Sequence, residues 1–123
     1  MEIPFHKPYI TEDEIAEVLD SLRSGWLTMG PKTVRFEEQF RDYLGAQHAV
    51  SMNSCTAGLH LALVTAGIRE GDEVILPAMT FTATAEVVTY LRATPVLADV
   101  DEDTCNIDVA AIEEKMTKKT RAI

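Results

Sequence analysis

Cysteines are scarce in this sequence, and long apolar runs are absent. Among its 123 residues there are only two cysteines, Cys55 and Cys105, and no C-x-x-C motif, so neither a disulfide framework nor a zinc site is indicated. No apolar run approaches the roughly 20 residues that cross a bilayer. The first ten residues, MEIPFHKPYI, lack the basic-then-apolar build of a signal peptide. We therefore expect a cytoplasmic protein with no membrane partner.

Basic residues are also scarce. Eleven Lys and Arg stand against twenty Asp and Glu, which gives a formal charge of −9 and argues against nucleic-acid and anionic-membrane surfaces. The three histidines, His6, His48 and His60, are scattered, so no metal site is expected. A content of 46% hydrophobic and 25% charged residues excludes disorder and is typical of a globular domain.

Two helices are predicted in the first part of the chain. Thr11 and Glu14 match a capping box, and Gly25 suits the left-handed residue that ends a helix. A second helix should follow Gly30-Pro31 and stop at Gly45. Both helices carry apolar residues at helical spacing and should therefore dock on a surface.

From residue 48 onward, apolar strands alternate with helices. The strands are predicted at His48–Met52, Glu73–Leu76 and Pro95–Asp99, with helices near 56–66, 82–92 and 109–119. Thr120–Ile123 is interpreted as the start of a fourth strand, as in part of a longer protein. Apolar strands joined by helices indicate an α/β protein whose sheet is mainly parallel and incomplete.

The loops that follow the strands should meet at one edge of such a sheet, where ligands bind. The small residues of Asn53–Gly58 either expose free helix N–H groups to a phosphate or permit capping and close packing. In Pro77–Thr84, Phe81 either stacks on a planar cofactor or closes the core.

Three other features carry weaker indications. The carboxylates of Asp99–Thr104 fit a solvated turn before a helix cap at Asp108, and we assign them no catalytic role. Cys55 begins a helix, but no histidine is placed beside it to make a Cys–His nucleophile. Trp26, in the turn bounded by Gly25 and Gly30, is either a buried anchor or part of the mouth of a site.

Four blocks of sequence stand in a fixed order. They are Ser24–Pro31 with Phe36-Glu37; Asn53–His60; Gly71–Pro77 with Thr80-Phe81 and Ala83-Thr84; and Thr94–Val96 with Asp99–Asp101 and Asn106–Asp108. In this order the chain resembles the N-terminal part of the DegT/StrS-type nucleotide-sugar aminotransferases, which use pyridoxal 5'-phosphate (PLP) and have the aspartate-aminotransferase fold (fold type I). Two departures are Gly58, where alanine is usual, and Phe81, where some members carry tryptophan. The resemblance implies an N-terminal helical segment over 1–47 and the first part of the α/β cofactor-binding domain over 48–123.

The resemblance also implies roles for particular residues. The turn at Cys55, Thr56 and Ala57 would receive the cofactor phosphate, and Phe81 would stack on the pyridine ring. Trp26 and Thr28 would lie near a keto sugar nucleotide. An amino acid such as glutamate would donate the amino group, and the enzyme would be a homodimer.

The catalytic residues of the family lie beyond this sequence. The lysine that binds the cofactor covalently, the aspartate that pairs with the pyridine nitrogen, and the small C-terminal domain would all follow Ile123, so no catalytic residue is assigned here and these residues alone should not transaminate. Lys115, Lys118 and Lys119 precede a predicted strand and should lie at the opposite edge of the sheet. The parent would be an aminotransferase of polysaccharide, lipopolysaccharide or antibiotic-sugar biosynthesis. A deoxysugar dehydratase of the same fold and a truncated, non-enzymatic interaction module remain open alternatives.

Overall fold

The computed structural model describes residues 3–123, which form five helices and three strands. The helices are α1 (Glu12–Ser24), α2 (Pro31–Leu44), α3 (Cys55–Thr65), α4 (Ala83–Tyr90) and α5 (Val109–Lys115). The strands are β1 (Glu73–Pro77), β2 (Thr94–Ala98) and β3 (Thr120–Ala122). The chain divides into two compact units after Ser51.

The first unit contains α1 and α2, and their ends follow the local signals in the sequence. The Thr11 amide donates to a Glu14 carboxylate oxygen at 2.6 Å, and the Thr11 hydroxyl accepts from the Asp13 amide, which confirms the capping box. Both helices end at glycines with positive φ, 72° at Gly25 and 63° at Gly45, where a side chain would be strained.

The second unit contains a three-stranded parallel sheet in the order β2-β1-β3. In the chain, α4 connects β1 to β2, and α5 connects β2 to β3. The central strand is the most buried, since its residues Val74, Ile75 and Leu76 are buried together with Val87 and Val88 of α4. Burying these side chains contributes to the hydrophobic stabilisation of the unit. The prediction of an α/β fold with a parallel sheet is confirmed.

The prediction of a strand at His48–Met52 is wrong. These residues form no strand in the part of the chain that the structure describes. A strand exists only through pairing with a neighbour, whereas the amide and the hydroxyl of Ser51 both donate to a carboxylate oxygen of Glu37 at 2.8 Å. The sequence has the apolar pattern of a strand, but the Ser51 amide, which could pair with a neighbouring strand, donates to Glu37 of α2 instead.

The helix expected over 109–119 is shorter than predicted, because α5 ends at Lys115. Thr117 and Thr120 then build a compact turn: the Thr117 amide donates to the Thr120 hydroxyl at 2.9 Å, and the Lys119 amide donates to the Thr117 hydroxyl at 3.0 Å. Threonine side chains that bond to nearby backbone groups compete with helix formation. Lys118 and Lys119 consequently lie in a turn rather than in the last turn of a helix.

Candidate functional site

The loops that follow β1 and β2 begin side by side at the carboxyl edge of the sheet. β1 ends at Pro77 and β2 ends at Ala98, and the Ala78 amide donates to the Ala98 carbonyl at 2.8 Å. The first of these loops carries Phe81, whose side chain is 79% exposed. The ring therefore does not close the core of this unit, and that alternative is wrong for the described residues.

The loop around Phe81 has its own hydrogen bonds. Thr80 precedes Phe81 in the sequence and Thr84 follows it, and the hydroxyl oxygens of the two threonines lie 2.9 Å apart. The amides of Thr84 and Ala85 donate to the carbonyls of Phe81 and Thr82 at 3.0 Å. These hydrogen bonds restrain the backbone of the loop that carries the exposed ring.

The N-terminus of α3 offers free backbone donors. Ser54 is the N-cap, and its hydroxyl accepts from the Ala57 amide at 3.1 Å. The amides of Cys55 and Thr56 donate to no group within residues 3–123. Two free N–H groups at the positive end of a helix dipole suit a phosphate. The third amide of the predicted turn, that of Ala57, is already used by the cap.

Gly58, a departure from the family pattern, has room for a side chain. A Cβ built there meets only the Met52 sulfur, at an ordinary van der Waals distance of 3.7 Å. An alanine at this position would fit, so the glycine does not alter the α3 N-terminus.

In the first unit, the turn between α1 and α2 borders a cleft of about 440 Å³, which we call the turn cleft. Both residues predicted near a substrate, Trp26 and Thr28, line it. Trp26 is 58% exposed, which excludes the interpretation as a buried anchor within this unit. Its indole N–H donates to the Met29 carbonyl at 2.9 Å. The remaining lining residues are Asp20, Ser21, Ser24, Leu27, Gly30, Pro31, Lys32 and Thr33.

Lys32, which also lines the cleft, connects α2 to α1. Its Nζ atom lies 2.6 Å from Glu17 Oε2, 2.9 Å from Asp20 Oδ2 and 2.7 Å from the Glu17 carbonyl oxygen. Hydrogen bonds from Lys32 lower the pKa of both carboxyl groups, and the bond with Glu17 is the main cause that raises the pKa of Lys32. Sequence reasoning missed this cluster, because its partners are 12 and 15 positions away from Lys32 along the chain.

The acidic loop after β2 is a capped turn. A carboxylate oxygen of Asp101 accepts from the Thr104 amide at 2.8 Å and from the Thr104 hydroxyl at 2.9 Å, and these bonds lower the pKa of Asp101. Asp108 caps α5 by accepting from the Ala110 amide at 2.9 Å. The predictions of a turn here and of a cap at Asp108 are confirmed.

Cys55 and His60 do not form a pair. His60 packs edge-on against Tyr90 of α4, with ring centroids 5.5 Å apart, and Cys55 is a free, exposed thiol like Cys105. Within residues 3–123, no group of three His, Cys, Asp or Glu side chains could hold a metal ion. No helix among these residues is both long and apolar enough to span a bilayer.

The lysines before β3 lie at the edge of the sheet opposite Phe81. The amide of Glu73, the first residue of β1, donates to the Lys119 carbonyl at 2.9 Å. Phe81 follows the other end of this five-residue strand. At a rise of about 3.3 Å per residue, the two ends of β1 are roughly 13 Å apart. The predicted placement is confirmed for Lys119 and for Lys118 beside it, whereas that of Lys115, the last residue of α5, stays a prediction.

Taken together, the second unit is an α/β domain of the class that binds ligands beyond the carboxyl ends of parallel strands. The particular family follows from comparison with known proteins. The model of the DegT/DnrJ/EryC1/StrS aminotransferase family matches residues 8–123, and the chain belongs to that family. The resemblance drawn from the four sequence blocks is confirmed.

Three curated relatives align over 121 residues, or 98% of this chain, and 31% of their own length. They are the uncharacterized protein MJ1066 of Methanocaldococcus jannaschii (53% identical), the spore coat polysaccharide biosynthesis protein SpsC of Bacillus subtilis (49%), and the UDP-4-amino-4-deoxy-L-arabinose-oxoglutarate aminotransferase of Shewanella sediminis (50%). The chain thus spans about a third of the length of the curated relatives it matches.

Solved structures show the same fold. Spr1654 of Streptococcus pneumoniae, described as a sugar aminotransferase and solved in its PLP form, is 48% identical with a TM-score of 0.91; the match covers 98% of this chain and 31% of that one. A GDP-4-keto-6-deoxy-D-mannose-3-dehydratase of E. coli with bound hydrated PLP is 25% identical with a TM-score of 0.89, over 97% of this chain and 32% of that one. The predicted fold of PLP-dependent transferases is confirmed.

Proposed function

We propose that these residues form part of a PLP-dependent aminotransferase that transfers an amino group to a keto sugar nucleotide. The observation that carries the proposal is family membership over residues 8–123, joined to 50% identity with an enzyme named for a UDP-amino sugar and oxoglutarate. Glutamate is the amino donor in this proposal. The reaction would serve polysaccharide, lipopolysaccharide or antibiotic-sugar synthesis, and the name of the SpsC relative supports the first of these.

Two features of the second unit fit PLP: the N-terminus of α3 and the exposed ring of Phe81. The free amides of Cys55 and Thr56 would hold its phosphate at the N-terminus of α3, with Ala57 completing the turn. Phe81 offers an exposed aromatic face to a planar ring. When bound, PLP supplies the electron sink for chemistry at the amino-acid carbon. The described residues contribute binding and orientation, and residues 48–123 are the first part of the cofactor domain in this proposal.

The turn cleft is proposed as part of the substrate site. Trp26 presents an aromatic face and Thr28 a hydroxyl, and this pairing suits the apolar faces and hydroxyl groups of a sugar nucleotide. The helices before residue 48 would form a separate N-terminal segment. We also propose that the whole protein is cytoplasmic, as expected from its sequence, and a homodimer, as the family resemblance implies.

The test is a product analysis with the full-length protein. The purified protein is incubated with PLP, glutamate and a panel of keto sugar nucleotides, and the products are identified by mass spectrometry. An amino sugar nucleotide formed in equal amount with oxoglutarate is the expected result. Amino transfer to none of the panel, with oxoglutarate unchanged, would contradict the proposal.

A dehydratase is the second candidate, favoured by the fold match to the E. coli enzyme at a TM-score of 0.89. The same incubation distinguishes the two, because dehydration removes a sugar hydroxyl without leaving nitrogen on the sugar. A deoxysugar product lacking an amino group would replace the first proposal by the second. Absence of both products would favour a non-enzymatic interaction module.

A further inference from the structure

We propose that Gly30 is a positioning residue, which keeps Trp26 in place as a preformed aromatic wall of the turn cleft. The inference deepens the proposed function and rests on the role given there to the cleft. Residue 30 must lack a side chain if the indole of Trp26 is to line the turn cleft where the ligand would bind.

The space around Gly30 is filled by the indole. A Cβ built on Gly30 would lie 2.1 Å from Trp26 Nε1, 2.4 Å from Cδ1 and 2.8 Å from Cε2. All three distances are far below van der Waals contact, so an alanine would force the ring or the backbone to move. The φ of Gly30 is −163°, which is extended backbone open to any residue. The requirement at position 30 is therefore for space and not for an unusual conformation.

The indole is also held by hydrogen bonds. Its N–H donates to the Met29 carbonyl at 2.9 Å, and the Trp26 amide donates to the Ser24 hydroxyl at 3.1 Å. That hydroxyl in turn donates to the Ser21 carbonyl at 2.8 Å, which ties the turn to the end of α1. On the other side, Lys32 fixes the start of α2 to α1.

A ring that is already fixed loses little rotational freedom when a ligand binds. Ordering one mobile side chain at an interface costs about 0.5–1.5 kcal/mol, which corresponds to roughly two- to twelvefold in affinity. An alanine at position 30 displaces the ring and breaks the bond to Met29. We expect the KM for the sugar nucleotide to rise by this factor, while kcat changes less.

The experiment uses the full-length protein and measures the polarity and solvent accessibility of the surroundings of Trp26. Difference fluorescence isolates the emission of Trp26. Subtracting the spectrum of Trp26→Ala from that of the wild type gives the emission of Trp26 beside Gly30. Subtracting the spectrum of the double variant, Trp26→Ala with Gly30→Ala, from that of Gly30→Ala gives the emission of Trp26 beside alanine. We expect Gly30→Ala to change the emission maximum and the quenching of Trp26 by acrylamide. Gly58→Ala is the matched control, since its new Cβ meets only one atom at 3.7 Å.

A double-mutant cycle tests whether Gly30 acts through Trp26. If it does, Gly30→Ala adds nothing to KM once Trp26 is alanine. If Gly30→Ala alone fails to fold, recovery of folding in the double variant supports the same conclusion, because the clash is then removed. Unchanged Trp26 emission in Gly30→Ala, or fully additive effects, would overturn the proposal. The fluorescence readout needs no turnover, so it stands even if the amino-transfer assay fails.

Discussion

Phe81 offers the sharpest test of the cofactor site. Its side chain is 79% exposed, so truncation to alanine removes little from the core and should leave the fold intact. If the ring stacks on the pyridine of PLP, its loss removes the stacking energy, about 0.5–1.5 kcal/mol beyond the area buried. That range corresponds to roughly a two- to twelvefold rise in the dissociation constant for the cofactor.

The assay is a titration of the cofactor-free, full-length protein with PLP, followed by absorbance. Phe81→Tyr should keep the affinity, whereas Phe81→Leu keeps apolar bulk without an aromatic face and should lose most of it. Tyr43→Ala is a matched control, since Tyr43 is an 86% exposed aromatic on α2. An unchanged dissociation constant in Phe81→Ala, or full affinity in Phe81→Leu, would refute stacking.

Three further predictions concern charge, covalent chemistry and assembly. Lys32 holds the pKa of Glu17 and Asp20 below their usual values. The stability that these carboxylates add is therefore complete above the pKa of carboxyl groups in the unfolded chain, near pH 4. It is lost as the pH falls through the lowered pKa values of the folded protein. Lys32→Met should therefore flatten the acid limb of the stability curve of the full-length protein, measured by denaturant unfolding; an identical curve would contradict this. Borohydride treatment of the isolated 123-residue chain with PLP should label no single lysine stoichiometrically, because Lys119 pairs with the opposite end of β1 and Lys118 lies beside it in the same turn. One specifically and fully labelled lysine would contradict this prediction. The isolated chain should also self-associate or remain loosely packed, since α1, α2 and α3 contain no buried residue; a sharply monomeric species in sedimentation, with a fixed near-ultraviolet signal from Trp26, would show that reasoning to be wrong.

The sequence predicted those parts of the fold that depend on local chemistry. The Thr11 capping box, the glycine stops of α1 and α2, and the Asp108 cap act within one helical turn, and each lies where expected. β1 was also predictable, because a run of Val74, Ile75 and Leu76 is typical of a strand buried on both faces.

Features that depend on contacts between residues far apart in the sequence could not be predicted from local sequence patterns. The pattern of His48–Met52 is that of a strand, but pairing is a property of the neighbour and not of the segment. The same holds for Lys32, whose partners on α1 are far away in sequence, and for Gly30, whose need for space comes from the Trp26 ring. The glycine-bounded turn marked the place, but the packing that explains it appears only in three dimensions.

The position of Phe81 shows how this fold holds an exposed group at a fixed place. Leu76, near the end of β1, is 3% exposed, and Ala83, at the start of α4, is 4% exposed, so the short loop carrying the ring is fixed by buried residues at both ends. The Ala78 amide adds a bond to Ala98 of the neighbouring strand. A ring in such a loop can face a ligand without contributing to the core, because the core on either side restrains its backbone. The chemistry proposed for this edge therefore depends on the burial of β1 and α4, and a core substitution there should impair cofactor binding before it unfolds the sheet.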